Sequence, residues 1–349
     1  MLTGHTGFKG SWLASWLGLL GSQVSGYSLA PPSSPSLFAL ARVGERMTTS
    51  HTGDVRDLGA TCAFMKAQRP EIVIHMAAQS LVRTSYADPV ETYATNVMGT
   101  VNVLEAVRRT PDVRVVIVVT SDKCYENREW EWGYREVDPL GGYDPYSSSK
   151  GCTEIVTAAY RQSFFAVAGL DGLSDVRVAT VRAGNVIGGG DWASDRLVPD
   201  TMRAFVLGEA VRVRRPASIR PWQHVLDPLA GYLLLAERLW DSTHFAVPWN
   251  FGADQRDTRT VEWIVERLVQ LWGDGASATY DDRTHPHEAH FLRLDCSRAT
   301  ERLGWSPRLP LGVALEWVVD WYRACHRGED PQRLTDRQIL RYQQLTTPS

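Results

Sequence analysis

The chain has 349 residues, 44% hydrophobic and 22% charged, which is the composition of a globular protein with room for about two domains. Its 37 Lys and Arg against 40 Asp and Glu leave a net charge of -3, so nothing draws it generally to nucleic acid or an anionic membrane, and any phosphate recognition must be local. Five scattered cysteines (Cys62, Cys124, Cys152, Cys296, Cys325) show no CxxC or Cys/His ligand spacing, which argues against disulfides and metal, fits the cytoplasm, and accompanies the lack of any apolar run of transmembrane length.

In chain order, a helix is expected over residues 11–20, a strand over 24–28, a helix over 58–68 and a strand over 72–76. A helix over 89–109, a strand over 113–120, a helix over 146–165 and a strand over 176–182 continue the alternation. Apolar strands between amphipathic helices predict an α/β fold, a doubly wound parallel sheet of Rossmann type with ligands at the strands' carboxyl ends. Residues 31–36 read as a short loop. After Gly184 the rhythm breaks into a glycine-rich turn at 188–190, a basic stretch at 212–220 and helices at 229–239, 260–271 and 310–326. The expected division is a dinucleotide-binding domain over 1–184 and, over 185–349, mainly a smaller α/β substrate lobe interleaved with the last core strands. Only three residues precede Gly4, fewer than a central strand needs. The first strand is therefore expected to be truncated, with either more chain upstream or a replaced strand and weakened cofactor binding.

Gly4-His5-Thr6-Gly7-Phe8-Lys9-Gly10 opens the first helix. Glycines at this spacing let backbone turn tightly against a pyrophosphate, and the helix start offers free N–H groups and a favourable dipole. Asp54, followed by Val55, could accept from an adenine amino group or serve only as a turn residue. Ala77, Ala78 and Gln79 end a strand with small residues, allowing a flat cofactor to lie on the backbone or simply packing tightly. No acidic residue closes the second strand at Tyr27-Ser28-Leu29, which weakens the usual ribose-hydroxyl argument for NAD over NADP.

Tyr146 and Lys150 are four residues apart on a helix, hence on one face. An ammonium near a phenol favours the phenolate and lowers the tyrosine pKa. The bland alternative is a surface pair. Ser121-Asp122-Lys123 follows a strongly apolar strand, placing a hydroxyl and an acid/base pair at a strand end, unless the charged two form only a loop salt bridge. An elimination needs such a pair; a simple dehydrogenation does not.

The segments GHTGFKGSW, HMAAQ, NVMGT, TSDKCYEN, GGYDPYSSSKG, RAGNVIGGGDWA, IRPWQHV and HPHEAH together resemble the extended short-chain dehydrogenases/reductases that act on nucleotide sugars. The likeness spans nearly the whole chain and is most specific to the CDP-glucose 4,6-dehydratase branch. It implies NAD as cofactor, held by Gly4, Thr6, Gly7, Phe8, Gly10, Asp54, Val55, Ala77, Ala78, Gln79, Asn96, Tyr146 and Lys150. It implies CDP-glucose as substrate, with Asn185, Arg196 and Arg220 on its diphosphate and His287 near the nucleotide, or else capping a loop. Tyr146 would take the 4-hydroxyl proton with support from Ser121 and Lys150, and Asp122 with Lys123 would serve the elimination. Related dehydratases carry Glu where Lys123 stands, so the lysine supports the CDP-glucose branch and leaves open which of the pair is acid or base. Homodimers or higher homo-oligomers are implied too. The rivals are a nucleotide-sugar 4-epimerase, which needs no elimination pair, and a catalytically silent homologue.

Overall fold

The computed structural model describes residues 1–165, 175–273, 275–281 and 292–345. Its strands are β1 (Leu2–Thr3), β2 (Ser25–Ser28), β3 (Thr49–Thr52), β4 (Ile72–His75), β5 (Val115–Val119), β6 (Arg177–Ala183), β7 (Asn185–Ile187), β8 (Val211–Arg214), β9 (Ile219–His224), β10 (Pro248–Phe251), β11 (Thr258–Thr260) and β12 (Ala278–Asp281). Its α-helices are α1 (Phe8–Leu19), α2 (Leu37–Leu40), α3 (Leu58–Gln68), α4 (Val82–Ala87), α5 (Pro89–Tyr93), α6 (Gly99–Arg108), α7 (Pro145–Tyr160), α8 (Leu197–Val206), α9 (Leu226–Asp241), α10 (Val261–Trp272), α11 (Leu311–His326) and α12 (Pro331–Gln343).

Seven strands form one parallel sheet in the order β10-β6-β5-β4-β1-β2-β3. The chain winds outward in both directions from β1, so a crevice opens where the direction reverses, above the carboxyl ends of β1 and β4. β5 is buried at every position, Val115 to Val119, as a strand covered on both faces must be. One core lies on the side of α1, α9 and α11, with Trp12, Trp249 and Trp321 fully buried. The other lies under α3 and α6 with Val103, Leu104 and Val116. A three-stranded sheet (β11-β9-β7) and a two-stranded one (β12-β8) sit beside this core.

The short β1 pairs on both sides, Leu2 with Gly26 and Ile74, Thr3 with Tyr27 and His75. Thr3 Oγ1 also accepts from the amides of Met76 and Ala77 at 3.1 and 3.2 Å. One side chain thus satisfies backbone donors just beyond the end of β4, where the crevice begins. The single helix expected over 89–109 is instead α5, a π-turn at Ala94–Met98 and α6. The wide turn brings the buried Asn96 inward.

Candidate active site

A cleft of about 1250 Å³ runs across the carboxyl edge of the sheet. Single small-molecule pockets occupy roughly 300–1,000 Å³, so this one has room for a long ligand or for two. At one end lie Ser28, Asp54 and Val55; at the middle Gly4, Thr6 to Gly10 and Ala77 to Gln79; at the other Asn185, Arg196 and Arg220.

The glycine turn is built by close backbone contact. Gly4 has φ +75°, and a Cβ there would lie 2.7 Å from the Ala77 amide nitrogen. A Cβ on Gly10 would lie 2.1 Å from the Gly4 carbonyl oxygen. Gly7 is the N-cap of α1 and supplies no side chain to its first turn, so the opening amides face the cleft. Thr6 ties the turn to the end of β2, bonding the Ser28 hydroxyl and the Leu29 carbonyl at 2.8 Å each. Phe8 packs toward Gly188.

This cradle fits a dinucleotide: close-packed glycines, an uncapped helix start and small residues at 77 and 78 are what a diphosphate and a flat ring require. Asp54 lines the cleft, but its carboxylate already accepts from the Arg56 amide at 2.9 Å and from its guanidinium at 2.5 Å. Asn96 stands behind the wall and not in the cleft. Its Oδ1 accepts from Gln79 N at 2.8 Å, and its Nδ2 donates to Gln79 O at 3.0 Å and Ser149 Oγ at 2.8 Å. Its amide is spent on holding Gln79 against the helix that carries Tyr146.

That helix, α7, starts with Pro145 at its first position, and Asp144 caps it by accepting from Ser147 N at 2.9 Å. Tyr146 and Lys150 are therefore a turn apart on the cleft side, 8% and 5% exposed. Lys150 Nζ donates to Val119 O at the end of β5, 3.3 Å away. The sequence led to a lowered tyrosine pKa, and the structure reverses that direction. Burial pushes the Tyr146 phenol up to about 12; its hydrogen bond with Ser121 pulls the other way, and Asp122 adds to the rise. Burial likewise brings Lys150 down to about 8, opposed by Glu154. For both groups the loss of water on burial outweighs the neighbours that favour the charged form, Ser121 and Arg196 for the phenol and Glu154 for the amine.

Ser121 donates to Asp122 Oδ1 at 2.9 Å, and Lys123 Nζ lies 3.8 Å from the same oxygen. Asp122 is buried while the lysine is one-third exposed and opens to the cleft. The site thus holds a hydroxyl, a phenol, a carboxylate and an amine around one end of β5.

Arg196 bonds Asp191 and Ser80 at 3.1 Å each. Arg220 sits on β9, where it pairs with Arg259 of β11, and Asn185 begins β7 opposite Trp222. His287 lies outside the described residues. Sequence reasoning passed over Lys9. It lines the cleft from α1, with its Nζ 3.4 Å from the Tyr232 hydroxyl. Burial first, then Lys150 and Arg196, bring its amine down to about 7. The available signal was a lysine standing inside the glycine turn.

A doubly wound sheet, a glycine turn on its first helix and a Ser/Tyr/Lys set at the end of β5 define an extended short-chain dehydrogenase/reductase. Residues 1–316 match the family model described as GDP-mannose 4,6 dehydratase. The CDP-glucose 4,6-dehydratase of Salmonella typhimurium is 54% identical over 347 residues, covering 99% of this chain and 96% of that protein. Among solved structures, the UDP-glucose 4-epimerase of Thermotoga maritima superposes with a TM-score of 0.78 at 21% identity, covering 93% of this chain and 98% of that one. The dTDP-glucose 4,6-dehydratase of Bacillus anthracis, solved with NAD, gives 0.76 at 19% identity, covering 95% and 98%. These two share the fold with this chain. The chain belongs to the GDP-mannose 4,6-dehydratase family and is an enzyme of the nucleotide-sugar 4,6-dehydratase type.

Proposed function

We propose that the chain converts CDP-glucose to CDP-4-keto-6-deoxyglucose by oxidation at C4, loss of water across C5–C6 and reduction at C6. The observation that carries the elimination is the Asp122–Lys123 pair, 3.8 Å apart beside Ser121 in the same cleft as Tyr146. An epimerase shares the fold and the Tyr/Lys set but has no use for this pair. The substrate base is read from the 54% identity to a CDP-glucose 4,6-dehydratase along almost the full chain.

NAD⁺ bound along the glycine turn supplies a hydride acceptor at C4 and a hydride donor at C6, with no net consumption. Gly4, Thr6, Gly7, Phe8, Gly10, Val55, Ala77, Ala78 and Gln79 form that wall, with Asn96 acting through Gln79. Tyr146 first releases its phenolic proton to solvent, and the phenolate Oη then takes the 4-hydroxyl proton while Ser121 orients that hydroxyl. Lys150 as an ammonium opposes the phenol's rise and makes its proton easier to give up. The resulting ketone acidifies the C5 hydrogen. Asp122 and Lys123 then remove the C5 proton and protonate the departing 6-hydroxyl. Asp122 is buried beside Ser121 while Lys123 opens to the cleft, so the two reach the reacting carbons together from one side. Asn185, Arg196 and Arg220 grip the sugar-nucleotide diphosphate, the arginines through charge-assisted bonds. Residues 1–184 serve the cofactor, and 185–349 mainly the substrate.

The exposed apolar residues Val90, Met98 and Ile155 on α5, the π-turn and α7 offer a face for a homodimer. No helix among the described residues is long and apolar enough to cross a membrane. A cytoplasmic setting fits a nucleotide-sugar substrate. The test is incubation with NAD⁺ and, in parallel, CDP-glucose, dTDP-glucose, UDP-glucose or GDP-mannose, read by mass spectrometry. Water loss from CDP-glucose alone supports the assignment; loss from another sugar replaces the substrate, and 4-epimer formation without water loss replaces the reaction.

A further inference from the structure

Glu154 lies on α7 one turn beyond Lys150, buried to 3% exposure and outside the cleft lining. Its two oxygens accept four hydrogen bonds. Oε1 takes the Thr120 hydroxyl at 2.5 Å and Arg182 Nε at 2.9 Å; Oε2 takes the Thr180 hydroxyl at 2.7 Å and Arg182 Nη2 at 2.8 Å. Arg182 is itself 2% exposed, and its Nη1 donates to the Tyr125 hydroxyl at 2.6 Å. That hydroxyl donates onward to Asn250 Oδ1 at 2.8 Å. Thr120 and Tyr125 are the residues on either side of the segment Ser121-Asp122-Lys123-Cys124. One buried carboxylate, with the arginine it pairs, therefore holds both ends of that segment and joins it to the helix bearing Tyr146 and Lys150.

Position on the helix adds an electrostatic consequence. Residues four apart on a helix are neighbours, and here the pair lies out of water, where charges are weakly screened. The other titratable groups facing Lys150 offer little compensation. Lys9 from α1, its amine brought down to about 7 by burial, brings no negative charge. His75 at the end of β4 is held neutral by burial with a pKa of about 3, and Cys124, which after Glu154 also favours the charged Lys150, is kept a thiol by burial. Tyr146 on the same helix is a neutral phenol at rest.

We propose that Glu154 is a positioning residue of the reaction, which clamps Ser121, Asp122 and Lys123 through Thr120 and Arg182–Tyr125 and keeps Lys150 an ammonium. This rests on the dehydratase roles given above. A carboxylate serving the fold alone would move the melting temperature of its variants but neither the alkaline limb nor kcat in those that fold.

The experiment compares wild type with Glu154→Gln, Glu154→Asp and the double variant Glu154→Gln/Arg182→Met, by melting temperature, KM, and kcat from pH 6 to 10. Glu154→Gln leaves Arg182 buried without its counter-ion and can fail to fold; the double variant removes both charges together. The wild-type kcat is expected to fall on the alkaline side near pH 8, where Lys150 loses its proton. In whichever glutamine variants fold, that limb moves down by about one pH unit or more, KM changes by less than about threefold, and kcat at its optimum falls about tenfold or more. Glu154→Asp keeps the charge but shortens the clamp, so its limb stays while its kcat falls. A limb unmoved in the folded double variant overturns the electrostatic part, and an unchanged kcat overturns the clamp. Lys150→Met guards the premise. Were it active with the wild-type limb, the fault would lie in the assignment of Lys150 and not in Glu154.

Discussion

The three glycines of the turn are not equivalent, and replacing each by alanine separates its structural part from its ligand-binding part. Gly7 has φ -74° and ψ 166°, ordinary extended backbone, and an added Cβ would meet only the Gly4 carbonyl oxygen at 3.4 Å. Removing unfolded-state freedom gains about 0.4–1 kcal/mol. Alanine in place of glycine at an N-cap loses a similar amount, about 0.5–1 kcal/mol. Gly7→Ala is therefore expected to change stability by less than about 1 kcal/mol, a shift of a few degrees at most. At Gly10 the added Cβ would lie 2.1 Å from the Gly4 oxygen and 2.9 Å from the Gly4 carbon and His5 Cα. All three are backbone atoms, so no rotamer relieves the overlap, and about 1–3 kcal/mol is expected. Gly4→Ala combines overlaps of 2.7 to 2.9 Å with a left-handed φ of +75°, which adds about 1–2 kcal/mol. The assay pairs thermal melts with calorimetric titration of NAD⁺ and of ADP-ribose, which lacks the nicotinamide. Gly7→Ala should melt like wild type yet bind both about tenfold more weakly, because its methyl fills space lining the cleft. A Gly7→Ala protein that binds ADP-ribose as wild type does, or melts as low as Gly10→Ala, would refute the reasoning.

Tyr146→Phe should retain nucleotide-sugar affinity while turnover falls by about 10²–10⁴, measured by equilibrium binding beside steady-state kinetics. Lys123→Ala should spare oxidation at C4 and slow water loss by a similar factor of about 10²–10⁴. Rapid-quench mass spectrometry should then find a 4-keto sugar that still bears its 6-hydroxyl. Asp227 tests the account of burial away from the site. Its Oδ1 accepts from Arg308 N at 2.7 Å and from the Tyr342 hydroxyl at 2.8 Å, its Oδ2 has no hydrogen-bond partner among the described residues, and burial raises its pKa from 3.8 to about 7. The folded form thus holds a proton that the unfolded chain has released, so this group's contribution to stability falls as pH rises from about 4 to about 7. At about 1.4 kcal/mol per pH unit the full effect is on the order of 4 kcal/mol. Asp227→Asn should lie about 2 kcal/mol below wild type near pH 4, the cost of an unpartnered amide, and exceed it by about 2 kcal/mol at pH 8, where wild type has lost the full linkage term, as read by urea unfolding at both pH values.

The sheet was legible wherever period and length spoke together. The run 113–120 could only be a buried strand, and β5 is buried throughout. The four-residue spacing of Tyr146 and Lys150 placed both on one helix face, which α7 confirms as geometry. Elements with weak local signals were missed. β3, Thr49–Thr52, is polar and mostly exposed at the sheet edge, and α12, Pro331–Gln343, buries only a narrow stripe of a polar sequence. What no local pattern can carry is contact between distant segments. The reach of Lys9 to Tyr232 spans 223 positions, and the hold of Glu154 on Thr120 spans 34. The direction of the Tyr146 shift was misjudged for the same reason: the spacing shows the ammonium, whereas the burial that outweighs it comes from the whole fold.

The most direct test of the central claim follows the hydrogen at C4. CDP-glucose carrying deuterium at C4 is incubated with the enzyme and NAD⁺ in ordinary water, and the product is examined by mass spectrometry and NMR. The expected product is a 4-keto-6-deoxy sugar that has lost one water and carries the deuterium at C6, having exchanged hydrogen with solvent only at C5. A product that keeps its water, or one whose deuterium returns to C4, would contradict the account.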